Sequence, residues 1–465
     1  MASAAEQLAA NLSYSTFSKA TDLKKRLWFT LLALIVYRLG TYVPVPGINP
    51  DQLAAAFEQQ SQGVLGLVNM FSGGAVERLA IFALGIMPYI SASIIMNLMT
   101  SVVPRFEQLK KEGEQGRKVI NQYTRYGTVL LGTAQAYGIA VGLNGSEGMV
   151  LNPGWFFILT TVVTLVGGTM FLMWLGEQIT ARGVGNGISL IIFAGIVAAL
   201  PGALAQLLDA GSSGSISTLT MLTVLVSIVA LIAFIVFIER AQRRLLIQYP
   251  KRQVGNQMFQ GDSSHLPLKL NTAGVIPPIF ASSLLLLPAT ITGFSPPGEQ
   301  ADWVATISAF LGRGQPGYLL FYGAMIMFFS FFYTAIVFNP KETADNLKQH
   351  GGFIPGIRPG DRTAEYIDYV LTRVTVLGSL YLVFVCLLPE MFLTGLGISV
   401  FLGGTSLLIV VSVTMDTVQQ VQSHLFAQQY EGLIQKSKLR GSKGAQKGNG
   451  RGGTRGGTKR GRRKK

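Results

Sequence analysis

Ten runs of apolar residues follow one another along the chain, with polar segments between them. A transmembrane helix needs about 20 mostly apolar residues, and a helix satisfies its own backbone hydrogen bonds in lipid. The pattern therefore predicts an all-α polytopic membrane protein with ten transmembrane helices. The predicted spans cover residues 27–44, 79–100, 123–143, 154–176, 187–208, 218–238, 272–293, 317–338, 373–394 and 399–418.

Composition favours a membrane protein over a soluble domain. Charged residues make up 13% of the chain, against about 25% in typical soluble domains. The first apolar run lacks an evident small-residue cleavage site, so it is predicted to be an anchor and not a removable signal peptide.

Basic residues fall almost entirely on one side of this topology. Ten spans put both termini on the same side of the membrane, and that side holds 35 of the 38 lysines and arginines. The others are Arg38, Arg78 and Arg313. Because basic loops stay on the cytoplasmic side, both termini are predicted to be cytoplasmic.

The ten spans divide into an N-terminal half, residues 27–208, and a C-terminal half, residues 209–418. Five spans in each half place the halves in opposite orientations, as in an inverted repeat. A direct comparison of the halves gives no convincing similarity in sequence. Residues 1–26 form a polar leading segment, and residues 419–465 form a basic tail that is predicted to be largely disordered after residue 436.

Signatures of enzymes and metal sites are absent from the sequence. It holds no phosphate loop, no GxSxG, no HExxH and no CxxC motif. Cys386 is the one cysteine, and the three histidines are far apart in polar segments. We therefore expect no catalytic residues, no metal and no cofactor.

Charged residues inside the spans are few. Arg38 lies in the first span, Glu77 and Arg78 begin the second, Glu390 ends the ninth and Asp416 ends the tenth. A transporter driven by ions or protons would be expected to keep carboxylates near the middle of the membrane. A ten-helix secondary transporter is therefore the weaker alternative.

The second run is unusual because polar residues and a proline interrupt it. Ser91, Ser93 and Asn97 suggest a face turned toward other helices or a water-filled path. Ile86 and Ile90 are four residues apart and so share one helix face, as do the isoleucines of NGISLIIF. A ring of such side chains can close a hydrophobic constriction, although composition alone favours ordinary core or lipid-facing isoleucines.

Two long inner loops, residues 239–271 and 339–373, mix basic residues with aromatic and turn-forming ones. They are longer than a return to the membrane requires, so we expect them to dock a cytoplasmic partner. Plain positive-inside topology remains the alternative. The basic tail is suited to ribosomal RNA or to anionic lipid, and equally to a role in topology or solubility.

Six stretches closely resemble the SecY family, whose members form the Sec protein-conducting channel of bacteria. They occur in the family's order from about Leu23 to Leu433, so the basic tail lies outside the resemblance. The stretches are NMFSGGAVERLAIFALGIMPYISASII, KKEGEQGRKVINQYTRYG, FLMWLGEQITARGVGNGIS, HLPLKLNTAGVIPPIFASS, VFNPKETADNLKQHGGFIPGIRPG and LGGTSLLIVV.

The resemblance implies two pseudo-symmetric five-helix halves around an hourglass pore that a plug helix closes. The plug corresponds to a re-entrant helix over about residues 64–76. The pore-ring positions are Ile86, Ile90, Ile188, Ile192, Ile279 and Ile409. The named plug positions are Val64, Leu65, Met70, Phe71, Ser72, Gly73 and Gly74.

A lateral gate is implied between spans two and three on one side and spans seven and eight on the other. Ser91, Gln135 and Asn271 are its polar candidates, although plain interhelical hydrogen bonds worth about 0.6–2 kcal/mol each would also explain them. Pro88 and the pair at 277–278 are candidates for kinks in the gate helices, or ordinary bends.

The two inner loops match the family's docking site for the ribosome and for the SecA motor ATPase. Arg358 is the first candidate there, because an arginine between Gly and Pro turns can form bidentate hydrogen bonds to a carboxylate or phosphate. The further candidates are Arg243, Arg244, Lys251 and Arg252.

The resemblance thus implies a passive protein-conducting channel of the bacterial inner membrane, which also releases transmembrane segments sideways. Its implied partners are the SecE and SecG subunits, SecA, the ribosome with its RNA and proteins, preproteins that carry signal sequences, and anionic lipids. Besides the transporter, an intramembrane enzyme and an ion or lipid channel are the alternatives, and each lacks its expected residues.

Overall fold

A computed structural model describes residues 21–50, 52–53, 69, 71–145, 148–213, 217–249, 252–254, 257–259, 263–293, 315–395 and 403–448. Its helices in the first half are α1 Thr21–Gly40, α2 Met87–Val102, α3 Pro104–Lys111, α4 Glu114–Asn144, α5 Trp155–Arg182 and α6 Gly187–Ser212. Those in the second half are α7 Thr218–Arg240, α8 Ile276–Gly293, α9 Pro316–Val337, α10 Pro340–Gln349, α11 Asp361–Gly395 and α12 Gly404–Gly448.

Each of the ten predicted apolar runs overlaps one long helix of this set. Among the described residues, length and apolar composition alone qualify five helices to cross a membrane, and six when α2 and α3 count as one bent segment with a 97° break. The helices between the runs, α3 and α10, are short and polar. The class predicted from the sequence, an all-α polytopic membrane protein, is confirmed.

The second span differs from its apolar run. The helix begins at Met87 and not at residue 79, because the residues before it form consecutive turns. Pro88 therefore lies in the first turn of α2, where its missing N–H has no helical partner to lose. Pro277 and Pro278 likewise follow the first residue of α8. The expected kinks in the middle of these helices are wrong.

Four short strands interrupt the helical pattern in the loop after α7. β1 Gln242–Gln248 pairs antiparallel with β4 Ser263–Lys269, and β2 Arg252–Val254 pairs with β3 Gln257–Phe259. In β1, Leu245 and Ile247 are buried while their neighbours are exposed, which is the alternation of a strand with one face on a core.

Helix α12 extends beyond the tenth predicted span into the basic tail, and the disorder predicted for most of the tail stays a prediction. Helix α12 continues through the residues from 436 to 448, where the sequence predicts disorder. Extending an existing helix by one residue costs far less than nucleating a new one. The polar tail can therefore remain helical where it continues from a packed span.

Helix contacts in the first half recur between the corresponding helices of the second. α2 packs on α4 as α8 packs on α9, and α4 packs on α5 as α9 packs on α11. In the same way, α5 packs on α6 as α11 packs on α12. The contact of α1 with α6 corresponds to that of α7 with α12. Between the halves, α2 contacts α8 and α6 contacts α12, so these two helices of the first half meet their own counterparts, as elements beside a two-fold axis do.

Candidate functional site

The predicted ring isoleucines lie at the beginnings of four helices, two from each half. Ile86 immediately precedes α2 and Ile90 lies in its first turn, while Ile188 and Ile192 begin α6. Ile279 lies in the first turn of α8, and Ile409 follows one turn into α12. These are the helices that meet their own counterparts across the two halves, so their first turns converge.

All six isoleucines belong to one hydrophobic cluster. Ile86, Ile90, Ile192 and Ile409 are buried within it, and Ile188 and Ile279 are partly buried against it. Isoleucine is stiff at its first torsion angle. A cluster of six such side chains therefore packs without polar groups that would bind water.

A small cavity lies on this cluster and is shared with the segment before the second span. Four ring isoleucines line it together with Phe71 and Ser72 of the predicted plug. The volume open to the centre of a water molecule is about 20 Å³, where one water needs roughly 10–15 Å³. The cavity has room for a water molecule but none for a peptide chain.

The described plug positions form a corner at residues 71–74. Phe71 is the last helical residue before a turn, and Gly73 and Gly74 both have positive φ. Gly74 N donates to the carbonyl oxygen of Asn69 at 2.8 Å, and Ser72 Oγ donates to the same oxygen at 3.0 Å. The predicted positions Val64, Leu65 and Met70 lie outside the described residues.

The segment that follows the plug corner is tied to the end of the first span. Val45 N donates to the carbonyl oxygen of Leu79 at 3.0 Å, and Ile81 N donates to that of Val43 at 2.9 Å. These bonds fix residues 79–81 to the stretch after α1. The plug corner therefore has an anchored C-terminal side.

The three predicted gate residues do not form one hydrogen-bonded set in the part of the chain that the structure describes. Asn271 Nδ2 donates to Glu239 Oε1 at 2.7 Å and to the carbonyl oxygen of Gly274 at 3.1 Å. Ser91 is buried in α2, and Gln135 is half-buried in α4. Their role in a gate stays a prediction.

Two other contacts cross this seam. Ser283 Oγ of α8 lies 3.8 Å from Met87 Sδ of α2. Lys110 Nζ of α3 donates to the carbonyl oxygen of Ile336 at 3.3 Å, and that oxygen belongs to the last turn of α9. The sequence does not predict these contacts, because no local pattern connects positions some 200 residues apart.

The two predicted docking loops fold together as one unit. Gln248 and Phe353 exchange backbone hydrogen bonds of 2.9 and 3.0 Å, which join β1 to the turn before α11. Beneath this bridge lies a separate hydrophobic core shared by both loops. Its buried members are Leu245, Leu268, Ile354, Ile367, Val370 and Val374.

Arg358 stands at an exposed tip of this unit. Its carbonyl oxygen accepts a hydrogen bond from Thr363 Oγ1 at 2.9 Å, and its neighbour Ile357 packs against the shared core. Arg243 and Arg244 are exposed on β1. Arg252 begins β2, and Lys251 lies outside the described residues. The backbone of the tip is thus fixed while the guanidinium of Arg358 faces solvent.

The structure reveals a repeat that the sequence comparison missed. GIMPYISAS, which begins at Gly85, and GVIPPIFAS, which begins at Gly274, precede and open α2 and α8, and both glycines have positive φ, +56° and +64°. The segments GISLII of α6 and GTSLLI of α12 correspond in the same way. These matches are short and separated by different distances along the chain, so only the paired helix positions make them visible.

The chain matches the SecY family model over residues 80–418. It is 55% identical over 423 residues to the protein translocase subunit SecY of Escherichia coli strain K12, covering 90% of this chain and 96% of that protein. Against the protein translocase subunit SecY of Pseudomonas aeruginosa it is 56% identical over 421 residues, covering 90% and 95%.

Solved structures share the fold at lower identity. A structure described as that of a protein conducting channel superimposes with a TM-score of 0.62 at 18% identity, covering 86% of this chain and 92% of that one. A structure reported for the plug domain of the SecY protein gives 0.61 at 19% identity, with coverage of 86% and 92%. Sec61 in a canine ribosome-channel complex gives 0.60 at 18%, again with 86% and 92%.

Proposed function

The chain belongs to the SecY family, and on that premise we propose that it is a passive protein-conducting channel. It passes unfolded secretory polypeptides across a membrane and releases apolar segments sideways into lipid. The observation that carries this proposal is the shared cavity, where ring isoleucines from both halves meet the plug corner.

The isoleucine cluster supplies a seal that does not depend on a specific substrate sequence. An apolar constriction excludes ions because water leaves it readily. A ring of stiff, branched side chains fits loosely around an extended chain of any sequence. Movement of the plug corner away from the cavity opens the path, and its return restores the seal.

Sideways release takes place between α2 and α4 on one side and α8 and α9 on the other. Ser91, Gln135 and Asn271 are the polar residues proposed to line this seam. Interhelical hydrogen bonds in lipid are individually modest, so a seam of this kind closes and still parts. An apolar segment in the pore then moves to lipid, where its transfer is favourable.

The unit formed by the two inner loops is the proposed docking site for the driving partner. Arg358 binds carboxylate or phosphate groups there, with Arg243, Arg244, Lys251 and Arg252 in support. The ribosome and the SecA motor are the proposed drivers, and the two inner loops lie on the side richest in basic residues. SecE and SecG are the proposed accompanying subunits, and the basic tail is assigned to ribosomal RNA or anionic lipid.

The proposed location is the bacterial inner membrane, with both termini in the cytoplasm. The distribution of lysine and arginine supports this orientation. Residues 27–208 and 209–418 are the proposed halves of the channel. The chain carries out no chemistry of its own in this proposal, so the energy for movement comes from the partner.

Reconstitution tests the proposal directly. The chain is placed in vesicles with SecE and a driving ATPase, and entry of a preprotein with a signal sequence is measured by protection from protease. We expect entry that requires both the signal sequence and ATP. No entry, combined with uptake of a small solute by the chain alone, would instead support a secondary transporter.

A further inference from the structure

The plug corner is held from the first span by two neighbouring side chains. Tyr37 Oη donates a hydrogen bond to the carbonyl oxygen of Ser72 at 3.1 Å. Arg38 Nη1 donates to the carbonyl oxygen of Gly73. Both donors come from the last turn of α1, 35 residues earlier in the chain. Both acceptors are backbone atoms of the segment that lines the cavity.

The arginine lies in the last turn of an apolar span, where a long basic side chain can extend past the helix end to a polar partner. Arg38 also contacts Thr41 Oγ1 at 3.4 Å and Tyr42 Oη at 3.1 Å. These neighbours hold the guanidinium beside Gly73, so the hydrogen bond does not depend on a freely rotating side chain.

A glycine of the fifth span completes the site. A Cβ at Gly195 of α6 would lie 2.8 Å from the carbonyl oxygen of Phe71, 3.1 Å from Tyr37 Oη and 3.2 Å from Gly73 N. Only a residue without a side chain allows α6 to come this close to the plug corner. The corner is thus pressed between α1 and α6 where its two carbonyl groups are hydrogen-bonded.

The plug corner and its anchored side use different elements. Residues 79–81 are bonded through their backbone to Val43 and Val45 after α1. The contacts that join the corner to α1 are the side-chain hydrogen bonds of Tyr37 and Arg38. Side-chain donors can part from the corner without disturbing the backbone pairing that anchors residues 79–81.

We infer that Tyr37 and Arg38 are positioning residues that latch the plug in its closed place, with Gly195 as the surface against which it is latched. This inference rests on the proposed function and names the residues that set how easily the plug leaves the cavity. The latch acts on main-chain carbonyl groups, so breaking it leaves the plug's own sequence intact.

The test measures how exposed the plug corner is, independently of transport. Ser72 is 3% exposed and is changed to cysteine, and the reaction rate with a water-soluble maleimide is followed in nanodiscs. The one native cysteine, Cys386, is 2% exposed, and the parent chain gives its background rate. Tyr37→Phe, Arg38→Gln and Gly195→Ala are then added singly to the Ser72→Cys chain.

We expect Tyr37→Phe to raise the labelling rate roughly 2- to 10-fold, because one neutral hydrogen bond is lost. Arg38→Gln loses a charge-assisted bond and is expected to raise it roughly 10- to 100-fold. Gly195→Ala displaces the corner sterically and is expected to raise the rate without removing either donor. Ion leak through vesicles that contain the same variants should rise in the same order.

Two matched variants serve as controls. Arg117→Gln removes the charge of an exposed arginine of α4. Tyr137→Phe removes a hydroxyl from an exposed tyrosine of α4. Neither is expected to change the labelling of Ser72→Cys.

The outcomes separate the latch from the proposed function. Labelling of Tyr37→Phe and Arg38→Gln at the parent rate would overturn the latch even if the parent chain exports preprotein. Equal increases in the control variants would also overturn it, since the effect would then be general loosening. If the parent chain exports no preprotein but the labelling follows the expected order, the latch stands and the proposed function fails.

Discussion

Ser283 Oγ and Met87 Sδ lie 3.8 Å apart, and their contact joins the second turn of α8 to the first residue of α2 across the two halves. Sulfur is a weak acceptor, so this contact adds little to the stability of the seam. What surrounds it is apolar, with Ile86, Ile90 and Ile279 in the same cluster. The contact between α2 and α8 is therefore chiefly apolar packing, which suits the proposed lateral gate.

A disulfide across this contact should lock the seam. In the double variant Met87→Cys, Ser283→Cys, oxidation is expected to stop release of apolar segments into lipid, and reduction is expected to restore it. Insertion of a model membrane protein into vesicles measures this. The two single variants under the same oxidant are the controls, and undiminished insertion by the cross-linked chain would contradict a lateral gate here.

Loss of a ring side chain should make the closed channel leak. Ile90→Gly removes a buried side chain from the cavity wall, so water and ions are expected to enter where the apolar seal is broken. Conductance across a planar bilayer is the measurement. Ile95→Gly on the same helix is the control, because Ile95 is 47% exposed and carries the same helix penalty of about 1 kcal/mol. Equal conductance in the two variants would count against the seal.

Charge reversal at the exposed tip should uncouple the chain from its driver. Arg358→Glu is expected to reduce ATP- or ribosome-driven export by an order of magnitude or more, because a bidentate, charge-assisted contact becomes repulsive. The melting temperature should not change, since the side chain is exposed.

Arg362→Glu provides the comparison for that experiment. Arg362 is also exposed, and it pairs with Glu365 at 3.3 Å on the first turn of α11. Exposed pairs of this kind contribute about 0–1 kcal/mol. We expect nearly normal export from Arg362→Glu, and a matching loss in both variants would mean that general charge, and not the Arg358 tip, sets docking.

The repeat at the starts of α6 and α12 predicts two equivalent steric effects. A Cβ at Gly187 would lie 1.9 Å from the carbonyl oxygen of Gly176, and a Cβ at Gly404 would lie 1.9 Å from that of Val385. Gly187→Ala and Gly404→Ala are each expected to destabilise the fold by about 1–3 kcal/mol or more, as overpacking does. Thermal unfolding in detergent is the measurement.

Gly138→Ala on α4 is the control for both glycine variants. A Cβ there meets no atom within 4 Å, so alanine is expected to be neutral or to stabilise the helix by up to about 1 kcal/mol. Tolerance of alanine at Gly187 and Gly404 as well would show that α6 and α12 do not depend on these close approaches.

The hydropathy pattern and the distribution of charge predict much of the fold. Apolar runs are a direct consequence of the lipid environment, so the ten spans are visible without any tertiary information. Proline positions were harder, because a proline inside an apolar run looks like a kink until the start of the helix is known. At Pro88 the preceding turns decide where the helix starts, and Gly85, two residues before that start, has positive φ.

The functional site was predictable only in part. The shared face of Ile86 and Ile90 follows from helical spacing, but their place in a pore came from the resemblance to a family. The alternation at Leu245 and Ile247 is a sequence signal for strand β1. The basic residues around it favoured an interpretation as a docking loop without strands. The contacts of Tyr37 and Arg38 join segments 35 residues apart, and no local sequence pattern predicts them.

Recognition of the plug corner through its carbonyl groups has an evolutionary consequence. Every amino acid presents the same carbonyl oxygen, so mutations that alter side chains at Ser72 leave the acceptor for Tyr37 in place. Side chains of the plug can then change wherever the backbone conformation is kept, while the donors that hold it remain in the first span. Selection against ion leakage should therefore constrain the sequence of α1 more strongly than that of the plug.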